Sequence, residues 1–289
     1  MENSKIKSVM PGGSGITCEH LTGAPQEDSR YHIHTEFEIF LFIRGDVHYI
    51  VEHSIYPLRP GDILVLNSTE LHYPSFLSDA EYERISIHFN PALAQQLSTH
   101  RTQLLHRFLA HPHGRNNLVR LSLFDLKRFH ALALQIEEET HSGRWGDDVL
   151  AQVHLAELLV LLENGQQEDV RSTSLSPYVQ QVLDYIDSTL PGPISLADVA
   201  QALSVDRFHL NKVFKKEMGT TVYNYVLLKR LNLARGHLIQ GCSVGEACSR
   251  AGFNDYTNFI RTFKKYTGVT PSAYARLAPY DTQQDLPQN

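Results

Sequence analysis

An internal repeat in the last third of the chain constrains the fold more than any other feature. The segment beginning at Ser195 (SLADVAQAL) aligns with the one beginning at Ser243 (SVGEACSRA). Each starts with a capping box, Ser195 with Asp198 and Ser243 with Glu246, which satisfies N–H groups at a helix start that have no intrahelical partner. Each has a small residue five positions on, Ala200 or Cys248, and another where a tight turn would fall, Ser204 or Gly252. A second helical pattern follows in both copies. Phe214, Gly219 and Tyr225 match Phe263, Gly268 and Tyr274 at a constant offset of 49. The glycines suit a left-handed cap that ends a helix. The pattern predicts two helix–turn–helix units in tandem.

Amphipathic spacing then assigns the faces. In the second helix of the first unit, Leu210, Val213 and Phe214 form an apolar stripe, which leaves Phe208, Asn211, Lys212 and Lys215 outside it. In the second unit Phe259 and Phe263 face inward, and Tyr256, Thr257, Asn258 and Arg261 are available. Amides bond adenine and Arg bonds guanine through two contacts. Lys215, Lys216, Lys264 and Lys265 suit phosphate, which supplies affinity without sequence information. The segment Thr221–Ile239 between the units reads as a helix about 28 Å long at 1.5 Å per residue. That is close to the ~34 Å between successive major-groove faces.

Residues Ala251–Phe253, Asn258-Phe259, Phe263–Lys265 and Gly268–Tyr274 closely resemble the AraC/XylS family of bacterial transcription regulators. The resemblance runs from Pro177 to Leu277. It implies a seven-helix DNA-binding domain with two recognition helices. It also implies base contacts at the positions of Phe208, Asn211, Lys212, Tyr256, Thr257 and Arg261, and an activator working with RNA polymerase. Lys212 and Asn211 stand where Arg and Gln are frequent, so no base preference carries over.

The first ninety residues read as β structure. Short runs at 37–43, 48–52, 62–66 and 82–89 are separated by Arg-Gly-Asp, Pro-Gly-Asp and Asn-Ser-Thr turns. Ile85, Ile87 and Phe89 alternate with polar residues, the period of a strand with one buried face. Helical patterning begins after about residue 92, with helices near 125–139 and 146–163. The expected fold is α+β in two domains: a cupin-like β-barrel followed by helices, then an all-α double helix-turn-helix. The domains are 1–165 for sensing and dimerisation, a linker at 166–176, DNA binding at 177–278 and a polar tail at 279–289.

His32, His34 and Glu38 have even spacing and share one strand face. Their spacing, with Gly45 beyond, resembles the first cupin motif. Gly61, Asn67 and His72 resemble the second. Gln26, Asn67 and Thr69 depart from it. Three imidazoles and a carboxylate suit a divalent metal with open positions. Equally, His32, His34, Glu38 and His72 can line a metal-free effector pocket, or be inherited residues bonded to each other and to backbone. His88 and His130 read as structural, and His111-Pro-His113 as a polar loop.

Composition bounds the alternatives. The formal charge is −6, yet residues 176–289 carry 12 Lys and Arg against 9 Asp and Glu, while 1–175 carry 14 against 23. That asymmetry fits a nucleic-acid-facing module beside a different one. The three cysteines form no framework or zinc knuckle, and fit a reducing compartment. No export signal opens the chain, and the apolar run Leu155–Leu162 is too short to span a bilayer, so a cytoplasmic protein without membrane contact is expected. No phosphate loop, nucleophile elbow or zinc-finger spacing appears. The sequence reads as a non-enzymatic regulator of promoter DNA responding to a small molecule, possibly a sugar. A metal-dependent cupin enzyme with an accessory DNA-binding domain is the rival. The helix at 146–163 carries two apolar stripes. Val149, Val153, Ala156 and Val160 form one, and Leu155, Leu158, Leu159 and Leu162 the other. This predicts a homodimer, with Leu159 placed in its seam.

Overall fold

The computed structural model describes residues 15–24, 36–167 and 175–277. They fall into two units, the second beginning at Leu175. His32, His34, Gln26 and the tail lie outside the described residues.

The first unit contains strands β1 (Ile16–Gly23), β2 (Phe37–Arg44), β3 (Val47–Val51), β4 (Ser54–Pro57), β5 (Ile63–Leu66), β6 (His72–Phe76), β7 (Tyr82–Phe89), β8 (Leu118–Arg120) and β9 (Gln166–Gln167). They form a six-stranded sheet in the order β1-β7-β2-β5-β8-β9 and a three-stranded sheet β4-β3-β6. All described pairings are antiparallel. Gln166 and Gln167, expected in the linker, instead extend the sheet along β8.

The helices of this unit are α1 (Pro91–Leu97), α2 (His106–Leu109), α3 (Leu123–Ser142) and α4 (Asp147–Glu163). Register assigns the two faces of the large sheet. Cys18, Ile39 and Ile87 stand opposite one another on one face. This face meets α3, where the Cys18 thiol donates to the Ala133 carbonyl at 3.6 Å. Burial pushes the Cys18 thiol up to about 12, so it is an inert packing group. On the opposite face Phe40, Phe42, Leu64 and Leu66 pack against Tyr49, Val51 and Tyr56 of the small sheet. The Phe40 and Tyr49 rings lie 4.6 Å apart. One buried layer of this unit therefore lies between the sheets and another between the large sheet and α3.

Ser122 caps α3, whose Phe129, Leu132, Ala133 and Ile136 are buried as their spacing predicts. In α4, Leu155, Leu158, Leu159 and Leu162 are buried, whereas Val149, Val153 and Val160 are exposed. Leu159 thus belongs to the unit's own core, which corrects its placement in an intermolecular seam.

The second unit is helical: α5 (Pro177–Thr189), α6 (Leu196–Ala202), α7 (Arg207–Met218), α8 (Val222–Ile239), α9 (Val244–Arg250), α10 (Tyr256–Thr267) and α11 (Pro271–Leu277). Both capping boxes form in full. The matched turn residues Ser204 and Gly252 both take positive φ, 54° and 80°. Gly219 and Gly268 end α7 and α10 in the left-handed region. The central helix α8 runs between the two helix–turn–helix pairs. Asn224 of α8 accepts from the Tyr266 hydroxyl at 2.8 Å, and buried Arg235 donates to the Tyr274 hydroxyl at 3.1 Å. Among the described residues no helix is long and apolar enough to cross a membrane.

Candidate DNA interface and effector site

The second helix of each pair is built alike. Asp206 caps α7 by accepting from the Phe208 and His209 N–H groups, and Asp255 caps α10 by accepting from that of Asn258. Leu210, Phe214 and Met218 anchor α7 in the core; Phe259, Phe263 and Thr267 anchor α10. Val213, expected in the buried stripe, is only half-buried. Solvent-facing positions on α7 include Phe208, Lys212, Lys215 and Lys216. On α10 they include Tyr256, Thr257, Arg261, Lys264 and Lys265. Phe208 is 71% exposed and Tyr256 53%. Aromatic groups that protrude this far leave apolar surface in water, which contact with a thymine methyl would remove.

The two asparagines differ from the others. Asn211 is half-buried, and its side-chain oxygen accepts from the Val222 N–H at 3.2 Å. It fastens the start of α8 to α7, so its oxygen already has a partner inside the fold. Asn258 is also half-buried, and its oxygen accepts from Arg261 Nη2 at 3.0 Å. It therefore orients Arg261. Sequence reasoning passed over Arg207, which stands at the first position of α7, exposed, with its guanidinium carbon 4.8 Å from the Phe208 ring centroid. The offset of 49 puts it opposite Tyr256, and that match was the available signal.

The first unit gathers ionisable side chains on the inner face of its large sheet. Glu38 stands opposite His88 across β2 and β7, and Phe42 opposite Arg84. Since Phe40 and Phe42 belong to the core between the sheets, Glu38, His88 and Arg84 share that side. His72 arrives from the small sheet, its Nε2 3.1 Å from Glu38 Oε2. His88 Nε2 is 3.5 Å from the same oxygen. His88, expected to be structural, thus faces Glu38. His72 Nδ1 lies 2.7 Å from the Glu70 carbonyl oxygen, which only accepts, so Nδ1 carries a proton. The other ring nitrogen, Nε2, is thereby turned towards the Glu38 carboxyl. The resulting pair is nearly enclosed, its side chains 2% and 6% exposed.

Asn67, a departure from the cupin pattern, supports this arrangement from behind. Its backbone N–H and the Asn117 amide both donate to Glu70, which also accepts from the Gly114 N–H. His111, expected in a polar loop, is buried with Nδ1 3.7 Å from Glu70. Among the described residues no group of three or more His, Cys, Asp or Glu is arranged to hold a metal ion.

Two family models match this chain. An AraC-like ligand binding domain covers residues 16–159, and a helix-turn-helix domain covers 199–277. The chain belongs to the AraC family of transcription regulators. It pairs a ligand-binding unit with a DNA-binding unit, and the first of these contains Glu38, His72, His88 and Arg84. Among AraC-family relatives, the lactose operon transcription activator of Staphylococcus xylosus is 24% identical over 262 residues, covering 89% of this chain and 90% of that one. RhaR, a transcriptional activator of Salmonella heidelberg, is 22% identical, covering 88% and 89%. The transcriptional activator RhrA of Rhizobium meliloti is 30% identical, but the match covers 52% of this chain and only 46% of RhrA. The solved structure of ToxT from Vibrio cholerae covers 91% of this chain at 14% identity and a TM-score of 0.39.

Proposed function

We propose that this AraC-family protein is a cytoplasmic, homodimeric activator whose affinity for promoter DNA is set by a small-molecule effector held between its two N-terminal sheets. The observation that carries this reading is the pair of recognition helices, α7 and α10, capped alike and each presenting an exposed basic face. Arg261, Lys212, Phe208, Tyr256 and Thr257 read bases, while Lys215, Lys264 and Lys265 hold phosphate. Helix α8, with 18 residues, is about 27 Å long and suits two successive turns of one DNA face. The protein acts by binding rather than catalysis, and RNA polymerase is its downstream partner.

The effector site centres on Glu38 and His72, together with His32 and His34. Sugars are the natural first class to test, given the lactose operon activator among its relatives. The dimer forms through the exposed stripe Val149, Val153 and Val160 of α4. Response follows if the effector binds one dimer arrangement more tightly than another. The experiment is a titration of DNA binding by the full chain, with and without sugars and small acids, repeated with His72→Ala. Effector-dependent affinity that disappears in His72→Ala supports the reading. Affinity that no small molecule alters, or a His72→Ala protein with an unchanged response, contradicts it.

A further inference from the structure

Among the described residues, two buried donors on the inner face of β7 have no acceptor. Arg84 Nη2 donates to Glu19 at 2.8 Å, but the other terminal nitrogen, Nη1, is buried with no hydrogen-bond partner. Two residues along the same face of β7, the Tyr82 hydroxyl is likewise buried and unpartnered, and the Tyr82 residue is 3% exposed. Burial pushes that hydroxyl above its ordinary range, so it remains an O–H donor. Leaving either donor unmatched is costly, the cationic one most of all. By contrast the Glu38 carboxyl is already matched by His72 and faced by His88.

We infer that the effector carries a carboxylate, and that Arg84 Nη1 and the Tyr82 hydroxyl are the donors that select it. This rests on the effector reading above and narrows its chemical class to small organic acids, sugar acids among them. Arg presents two N–H groups in a planar fork that matches a carboxylate. Its present counter-ion is easily displaced, because Glu19 stands at the β1 edge with its side chain 57% exposed. An ion pair that open to water contributes little, so Glu19 turns outward at small cost when an acid takes its place. The exchange keeps the Arg84 charge compensated. Beside these donors the Tyr82 ring packs against Phe42 and meets Phe76 edge-on, with 4.9 Å between the Phe76 and Tyr82 ring centroids.

The test is calorimetric titration and thermal shift of the full chain with matched pairs at one ionic strength. The pairs are galacturonate with galactose, glucuronate with glucose, and benzoate with benzyl alcohol. At least one acid should bind, with its neutral partner weaker by about tenfold or more, the discrimination a charge-assisted hydrogen bond gives. Arg84→Gln should abolish that preference. Tyr82→Phe, which removes only the hydroxyl and leaves the packing, should weaken the acid several-fold. Glu19→Gln should leave the acid bound as tightly or more so. A neutral sugar that binds as well as its acid, loses affinity in His72→Ala and keeps it in Arg84→Gln would overturn the acid class while preserving the effector site. If no acid binds, the assignment of Arg84 and Tyr82 also fails, whereas the effector site itself stands or falls on whether His72→Ala alters the response of DNA binding.

Discussion

Exchanging the turn residues of the two helix–turn–helix pairs tests how the repeat is held together. Gly252 and Ser204 occupy the same turn, with φ of 80° and 54°. Around Gly252 the chain is crowded: a Cβ there would run into the Pro191 carbonyl oxygen, a backbone atom that cannot swing aside. The adjoining Gly192 carbonyl is tied to Arg230 at 2.9 Å, which resists movement of that loop. For Gly252→Ser, the left-handed conformation costs about 1–2 kcal/mol. Reduced freedom of the unfolded chain returns about 0.5–1 kcal/mol. Displacing the Pro191 loop adds about 1–3 kcal/mol. The net loss should be about 3 kcal/mol, within a span of about 1–4.5 kcal/mol. Ser204→Gly relieves the same backbone penalty and incurs the same chain entropy, so it should be neutral or stabilising by up to about 1 kcal/mol. Urea unfolding followed by circular dichroism reads both as shifts of midpoint at constant slope. Equal effects at the two turns, or a neutral Gly252→Ser, would refute the assignment of Gly252 as a packed, left-handed contact point.

Other predictions concern the interfaces. Arg261→Ala should cost about 1–3 kcal/mol on the preferred site and relax preference at one base pair; an equal loss on unrelated DNA would make Arg261 a phosphate contact. Val153→Glu should convert a dimer to a folded monomer in sedimentation, whereas Leu159→Glu should unfold the N-terminal unit, because it buries an unpaired carboxylate. A dimer that survives Val153→Glu removes α4 from the interface. The capping boxes also predict a pH dependence. Hydrogen bonds from Ser195 and Ser243 hold Asp198 and Glu246 below the usual carboxylate range. Their stabilisation is complete above the unfolded value of about 4 and is lost as the pH falls through the lower folded value. Ser195→Ala with Ser243→Ala should therefore flatten the acid limb of the stability curve, and unchanged limbs would show that the caps contribute nothing.

The helical half was legible because its signals are local. A capping box, a left-handed glycine and a 49-residue offset need no tertiary information, and Ser195, Ser243, Gly219 and Gly268 all take their expected places. The side-chain partners were less legible. Periodicity separated the two stripes of α4 but could not say which one faced the protein's own core; packing against α3 buries Leu155, Leu158 and Leu159 and leaves Val153 outside. Asn211 lies beyond the apolar stripe of α7, yet its contact is with Val222, eleven residues away across a turn. His88 reads as an ordinary strand residue until register sets it opposite Glu38. Arg84 and Tyr82 gave no signal at all, since an unmet hydrogen-bond donor exists only once the surrounding chain is in place.

The most direct measurement of the central claim is selection of the full chain on a library of random double-stranded DNA, followed by sequencing. Two recognition helices joined by a rigid α8 should enrich two short motifs on one face, centred about 10 base pairs apart, one helical turn. Arg261→Ala should lower the information at one base pair of one motif and leave the other motif intact. Enrichment of a single motif, variable spacing between two, or no enrichment above background would contradict an account in which both helix–turn–helix pairs read DNA together.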